Sequence, residues 1–157
     1  MHVRAVEPAD RRRVDTFLGD HKAALVARLD QLVDARRLPA FLVEDEGELA
    51  GVATYIVGDT DCEVPTLHAT QPWHGVGTAL LREVEQFAAE HGCTRLWLIT
   101  TNDNVDALRF YQRRGFRLAR VHPGAVDASR LKLKPGIPEI GEYGIPIRDE
   151  IELEKAI

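Results

Sequence analysis

At 157 residues the chain has the length of one domain and enough material for a buried core. With 45% apolar and 29% charged residues it has the make-up of an ordinary soluble protein, and its net charge of −5 excludes bulk attraction for nucleic acid. No apolar run can span a bilayer, the N-terminal stretch has no signal-peptide core, and Cys62 and Cys93 belong to no disulfide or metal motif. The expectation is therefore one cytoplasmic domain over residues 1–157, with reduced thiols, no metal, no membrane or nucleic-acid partner, and a homodimer as one option for assembly. The basic pairs and triplets at 11–13, 36–37 and 113–114 read as solvated helix surface.

Along the chain, residues 3–6 read as a short strand ended by Pro8, and Asp10 as the cap of a helix to about Leu18. Residues 21–38 carry Ala24, Leu25, Leu29, Leu32 and Val33 at spacings of three and four, which predicts a second helix stopped by Pro39. Residues 41–43 and 49–57 read as an antiparallel hairpin turned at Asp45-Glu46-Gly47, and residues 62–69 as the next strand. Pro65 interrupts that strand and must sit at an edge, a bulge or a splayed point, because it cannot donate to a ladder. Residues 76–91 predict a helix closed by Gly92, 95–101 a strand covered on both faces, and 104–114 a helix starting at Asn102 or Asp103 and closed by Gly115. Residues 116–121 and 147–155 read as strands, the latter closing the sheet. Between them, residues 123–146 hold four of the eight prolines and form a long connection with Ile137, Ile140, Tyr143 and Ile145 as apolar anchors, placed over the sheet as part of an acceptor pocket or as an assembly element.

Two stretches carry chemistry. In His74-Gly75-Val76-Gly77-Thr78 a glycine turn opens a helix, where unpaired N–H groups and the helix dipole favour a phosphate; the plain alternative is a tight turn. In the second, Asn104, Ala107 and Tyr111 lie near one helix face; the plain alternative makes Tyr111 a core aromatic beside Phe110 and Asn104 a helix-terminal residue. Together they point to a nucleotide-linked thioester and a proton donor for its thiolate.

These residues resemble the Gcn5-related N-acetyltransferase (GNAT) superfamily. Gly75-Val76-Gly77 match the second half of its coenzyme A loop, with Pro72 where the family has Gln or Arg. Asn104, Ala107, Phe110, Tyr111, Gly115 and Phe116 match its later motif, and residues 144–153 are similar to a bacterial subgroup. The resemblance implies a mixed α/β fold: a mostly antiparallel, twisted sheet of six to seven strands, splayed before the coenzyme A loop and flanked by about four helices. It implies an acetyl-CoA-dependent N-acetyltransferase acting on a small-molecule or peptide amine. The amides of Trp73, His74, Gly75, Val76, Gly77 and Thr78 would hold the pyrophosphate, the backbone near Leu67 and the Asn104 side chain the pantetheine arm, and Tyr111 would protonate the leaving thiolate. The attacking amine must lose a proton. Glu63, which shares a strand face with Asp61, is the first choice of base; His68 is the rival, with the better intrinsic pKa. A catalytically idle acyl-CoA-binding module is the alternative, and a generic nucleotide binder has no nucleobase motif behind it.

Overall fold

The computed structural model describes residues 1–72 and 74–157; Trp73 lies outside the described residues. In chain order the elements are β1 (His2–Ala5), α1 (Arg11–Asp20), β2 (Leu25–Arg28), β3 (Gln31–Asp34), β4 (Ala40–Asp45), β5 (Glu48–Val57), β6 (Asp61–Ala69), α2 (Val76–Glu90), β7 (Arg95–Thr101), α3 (Val105–Gln112), β8 (Arg117–His122), α4 (Ala125–Lys132) and β9 (Glu150–Ala156). Seven strands follow the order β1-β4-β5-β6-β7-β9-β8, and β2 and β3 pair as a separate hairpin. This is the expected mixed α/β fold, with a mostly antiparallel sheet. The chain divides into two compact units: residues 1–26, 34–96 and 157, and residues 27–33 and 97–156.

In the first unit, strand alternation sorts side chains to two faces. Ala40, Leu42 and Val52 pack against Val14, Phe17 and Leu18 of α1 in one fully buried cluster. Phe41 and Tyr55, one residue out of phase, stack at 5.3 Å on the opposite face, where Phe87 of α2 meets them at 5.8 and 4.9 Å. Removing side chains of this size from water contributes about 1.5–3 kcal/mol each. Asp10 does not cap α1 with its side chain. It closes a capping box with Glu7 around a short 3-10 turn, and takes bonds of 2.7–2.9 Å from Arg4 and Arg13. Arg4, the Glu7 N–H and Arg13 hold its carboxyl well below the usual range.

In the second unit β8 and β9 are antiparallel, and the strand order puts β9 between β7 and β8. The last strand is thus interior, and β8 is the edge. Residues 123–146 form no simple loop. They include α4, whose Arg130 binds the carbonyls of Ile137, Pro138 and Ile147 at 2.8–3.0 Å and so pins the proline-rich return.

The expected helix over 21–38 is absent. Lys22 ends α1 at φ 54, and Leu29 and Asp30 turn the β2–β3 hairpin at φ 49 and 60. The Ala23 N–H closes on the Leu18 carbonyl at 2.7 Å, as in a Schellman stop. The three- and four-residue spacing of leucines is coincidental with two short strands around a turn. The hairpin tip is tied down by its backbone, the Leu29 N–H donating to Glu150 Oε1 at 2.9 Å. Burial pushes the Glu150 carboxyl above the usual range.

A two-residue turn with both φ positive favours glycine at its second position. Asp30→Gly should therefore stabilise the protein by roughly 0.5–1 kcal/mol. Urea unfolding should show a higher midpoint at unchanged slope; an unchanged or lower midpoint would contradict the strain reading.

Candidate active site

One candidate element is the start of α2, in the first unit. Gly75 is its N-cap at φ 82, and its carbonyl accepts the Ala79 N–H at 3.0 Å. The first N–H groups of a helix have no partner four residues back, and the dipole adds positive potential there. The first turn of α2 holds no carboxylate, whereas α3 has Asp106 in that position. The positive end of α2 is therefore left for an anion. A Cβ on Gly75 would meet only Met1 Cε, at 3.7 Å, so the backbone angle rather than crowding inside the protein calls for glycine. His74 and Gly75 are exposed, and Gly77 and Thr78 half-buried. A cavity of about 380 Å³ beside this turn is lined by Gln71, His74 and Val76 but also by Glu44, Asp45 and Glu48. Of its carboxylates, Glu44 is paired with Arg4 and Arg13 at 2.7 and 3.1 Å.

Gly51 on β5 sets where that helix end lies. A Cβ there would fall 2.5 Å from Val76 Cγ1 and 2.9 Å from the His68 carbonyl. Its absence lets the first turn of α2 close directly on the sheet. The sequence offered one hint, a glycine inside a strand pattern, which marks close backbone approach.

β6 supplies the candidate base. Its register with β5 pairs Val52 with His68, Ala53 with Leu67, Thr54 with Thr66 and Ile56 with Glu63. Between the last two pairs, Tyr55 faces two residues, Val64 and Pro65: a bulge, where a missing N–H costs least. The extra residue inverts the alternation. Glu63 consequently shares a face with Thr66 and His68, which sequence parity alone would deny, while Leu67 points to the α2 side. Glu63 is 3% exposed, not a solvent-facing strand residue. Asp61 lies 3.7 Å from Arg95. Burial, and then the neighbouring His21 ring at 5.9 Å, push the His68 pKa down, so its imidazole is neutral at physiological pH. Thr54 and Thr66 are 0% and 4% exposed, and their hydroxyls have no hydrogen-bond partner among the described residues. Leaving a hydroxyl so costs about 1–3 kcal/mol. Sequence reading missed both threonines, because neither sits in a motif.

The other candidate element is α3, in the second unit. Asn104, rather than Asn102 or Asp103, is its N-cap, accepting the Ala107 N–H at 3.2 Å and leaving its amide N–H groups for other partners. Asn102 instead bridges Arg148, Asp149 and Pro146. Tyr111 is 8% exposed and meets Phe110 and Phe116 edge-on at 5.1 and 5.4 Å. Burial raises its pKa against the opposing Arg114, so the phenol keeps its proton. Tyr143 is 72% exposed and donates to both oxygens of Asp106 at 2.9 and 3.0 Å. It is no apolar anchor, and Ile140 is exposed as well. Burial, with Cys93 adding to it, pushes the Cys62 thiol up to about 12, which rules it out as a nucleophile. Among the described residues no group of His, Cys, Asp or Glu could hold a metal ion, and no helix is long and apolar enough to cross a membrane.

Gly51→Ala should cost about 1–3 kcal/mol, because Val76 and the His68 carbonyl must give way. The chief shift in a hydrogen-exchange map should fall on residues 75–80. Unchanged exchange there would show that the helix end does not depend on this glycine.

Residues 9–116 match the model of the acetyltransferase (GNAT) family. The uncharacterised protein YdhI of Bacillus subtilis is 50% identical over 115 residues, 73% of this chain and 71% of that one. An uncharacterised N-acetyltransferase of Mycobacterium tuberculosis is 35% identical over 92 residues, 57% of this chain and 58% of that one. Among solved structures, an acetyltransferase of Bacillus subtilis in complex with CoA has the same fold, with a TM-score of 0.71 at 17% identity, over 99% of this chain and 98% of that one. With the glycine turn, the capped α3 and the strand order in place, these likenesses settle the family: the chain belongs to the GNAT acetyltransferases.

Proposed function

We propose that the chain works as a single acetyl-CoA-dependent N-acetyltransferase domain over residues 1–157, moving acetyl to a primary amine of a small molecule or peptide by direct attack. The observation that carries this reading is the left-handed Gly75 at the head of a helix whose first turn lacks any carboxylate, in a chain of this family. The CoA held by the Bacillus subtilis neighbour supports it.

In this reading the backbone of His74, Gly75, Val76, Gly77 and Thr78, with Trp73, takes the pyrophosphate. Leu67 backbone and the Asn104 amide take the pantetheine arm. Glu63 accepts a proton from the amine, whose freed lone pair forms the C–N bond at the thioester carbonyl. Collapse of the tetrahedral adduct breaks the C–S bond, and Tyr111 gives its proton to the departing sulfur. A buried phenol suits that last step, since it stays protonated until the thiolate appears. Pro72, with no N–H to offer the cradle, favours a second reading: an acyl-CoA-binding module without turnover. Coenzyme A binding with no thiol release over a broad amine panel would establish that module.

Tyr111→Phe should lower kcat about 100-fold while acetyl-CoA affinity stays within about twofold. Glu63→Gln should lower kcat/KM at neutral pH, with a deficit that shrinks towards pH ~10, where an amine loses its proton unaided. Thiol release and calorimetry read both. Equal kcat in the Phe variant, or a pH-independent deficit in the Gln variant, would remove those roles.

A further inference from the structure

The face of β5 and β6 that carries Glu63 changes character along its length. At the Val52 end it belongs to the apolar cluster under α1. One rung on, Thr54 and Thr66 stand directly opposite each other, and the next rung is Ile56 and Glu63. Directly opposed residues share a face and touch, and a Thr–Thr pair in that relation normally forms a hydrogen bond. Here neither hydroxyl has a partner among the described residues, although both side chains are more than nine-tenths buried. A core needs no hydroxyl at either position, and valine would fill the same volume without the unpaired group. His68 continues the same face beyond Thr66, about 7 Å along the strand. The result is a stripe of one carboxylate, two hydroxyls able to donate or accept, and one neutral imidazole, aligned by the bulge at Pro65.

Resting on the transferase reading above, we propose that this stripe is the acceptor subsite and selects a hydroxylated amine: Glu63 faces the reacting nitrogen, and Thr54 and Thr66 bind a hydroxyl a few bonds away. A buried hydroxyl pair discriminates strongly, because an acceptor without a matching group leaves it unsatisfied. A purely aliphatic amine fits the stripe poorly for that reason. Thr54 and Thr66 are thus specificity residues and take no part in proton transfer.

The test compares aminopropanediol with pentylamine, which has the same number of non-hydrogen atoms, in the wild type and in Thr54→Val and Thr66→Val. The wild type should prefer the diol in kcat/KM. Each valine variant should lose about tenfold of that preference through the KM of the diol. The pentylamine KM should hold or fall, because valine removes the hydroxyl that this amine leaves unsatisfied; acetyl-CoA affinity should not move, and thermal stability should hold or rise. No preference in the wild type, or an equal loss for both amines in the variants, overturns the subsite. Calorimetry of the diol on protein saturated with coenzyme A separates the two readings. Diol binding that is lost in Thr66→Val, without acetyl transfer, supports the subsite and removes the transferase reading. Transfer without diol preference does the reverse.

Discussion

The acetyl-CoA reading of this chain depends on one constraint, the N-terminus of α2, whose first turn carries no acidic side chain. The first N–H groups of a fifteen-residue helix have no carbonyl four residues back within the helix, and positive potential concentrates at that end. Proteins commonly neutralise such an end with an acidic side chain in the first turn, as α3 does with Asp106. Here the turn reads Val76-Gly77-Thr78, and the cap is a left-handed glycine without a side chain. Gly51 seats this helix end on the strands by allowing Val76 to rest on bare backbone. The proposed anion site would thus be built from backbone and two glycines, and so be indifferent to side-chain rotamers.

The second constraint is the bulge opposite Tyr55. A regular strand would turn Glu63 away from Thr66 and His68. The extra residue at Val64–Pro65 brings all three to one face, and proline suits the place because no ladder bond is lost. One irregularity thereby concentrates the polar chemistry of β6 on the side where α1 supplies the apolar cover.

What could be read from the sequence follows from what marks a backbone state. Turns with positive φ at Gly47, Gly92 and Gly115 were legible, because glycine announces them. Lys22, Leu29 and Asp30 adopt the same region without glycine, so residues 21–38, which hold the β2–β3 hairpin, read as a second helix. α4 was hidden by the prolines around it. Of the site, the loop at Gly75, Asn104 and Tyr111 stood out because their spacing is local. Gly51, Thr54 and Thr66 matter only through partners on other elements, and no local pattern records a pairing register. Pro65 was legible as a disturbance, but not its consequence for Glu63, since the direction of a side chain past a bulge depends on the partner strand.

The most direct test of the account is the contribution of the pyrophosphate to binding. Calorimetry with coenzyme A, dephospho-coenzyme A and pantetheine isolates it. The first two should bind within a few fold of each other, and both about 100-fold or more tighter than pantetheine, with an advantage that falls as salt rises. Pantetheine binding as tightly as coenzyme A would mean that the N-terminus of α2 holds no phosphate, and the central claim would fail.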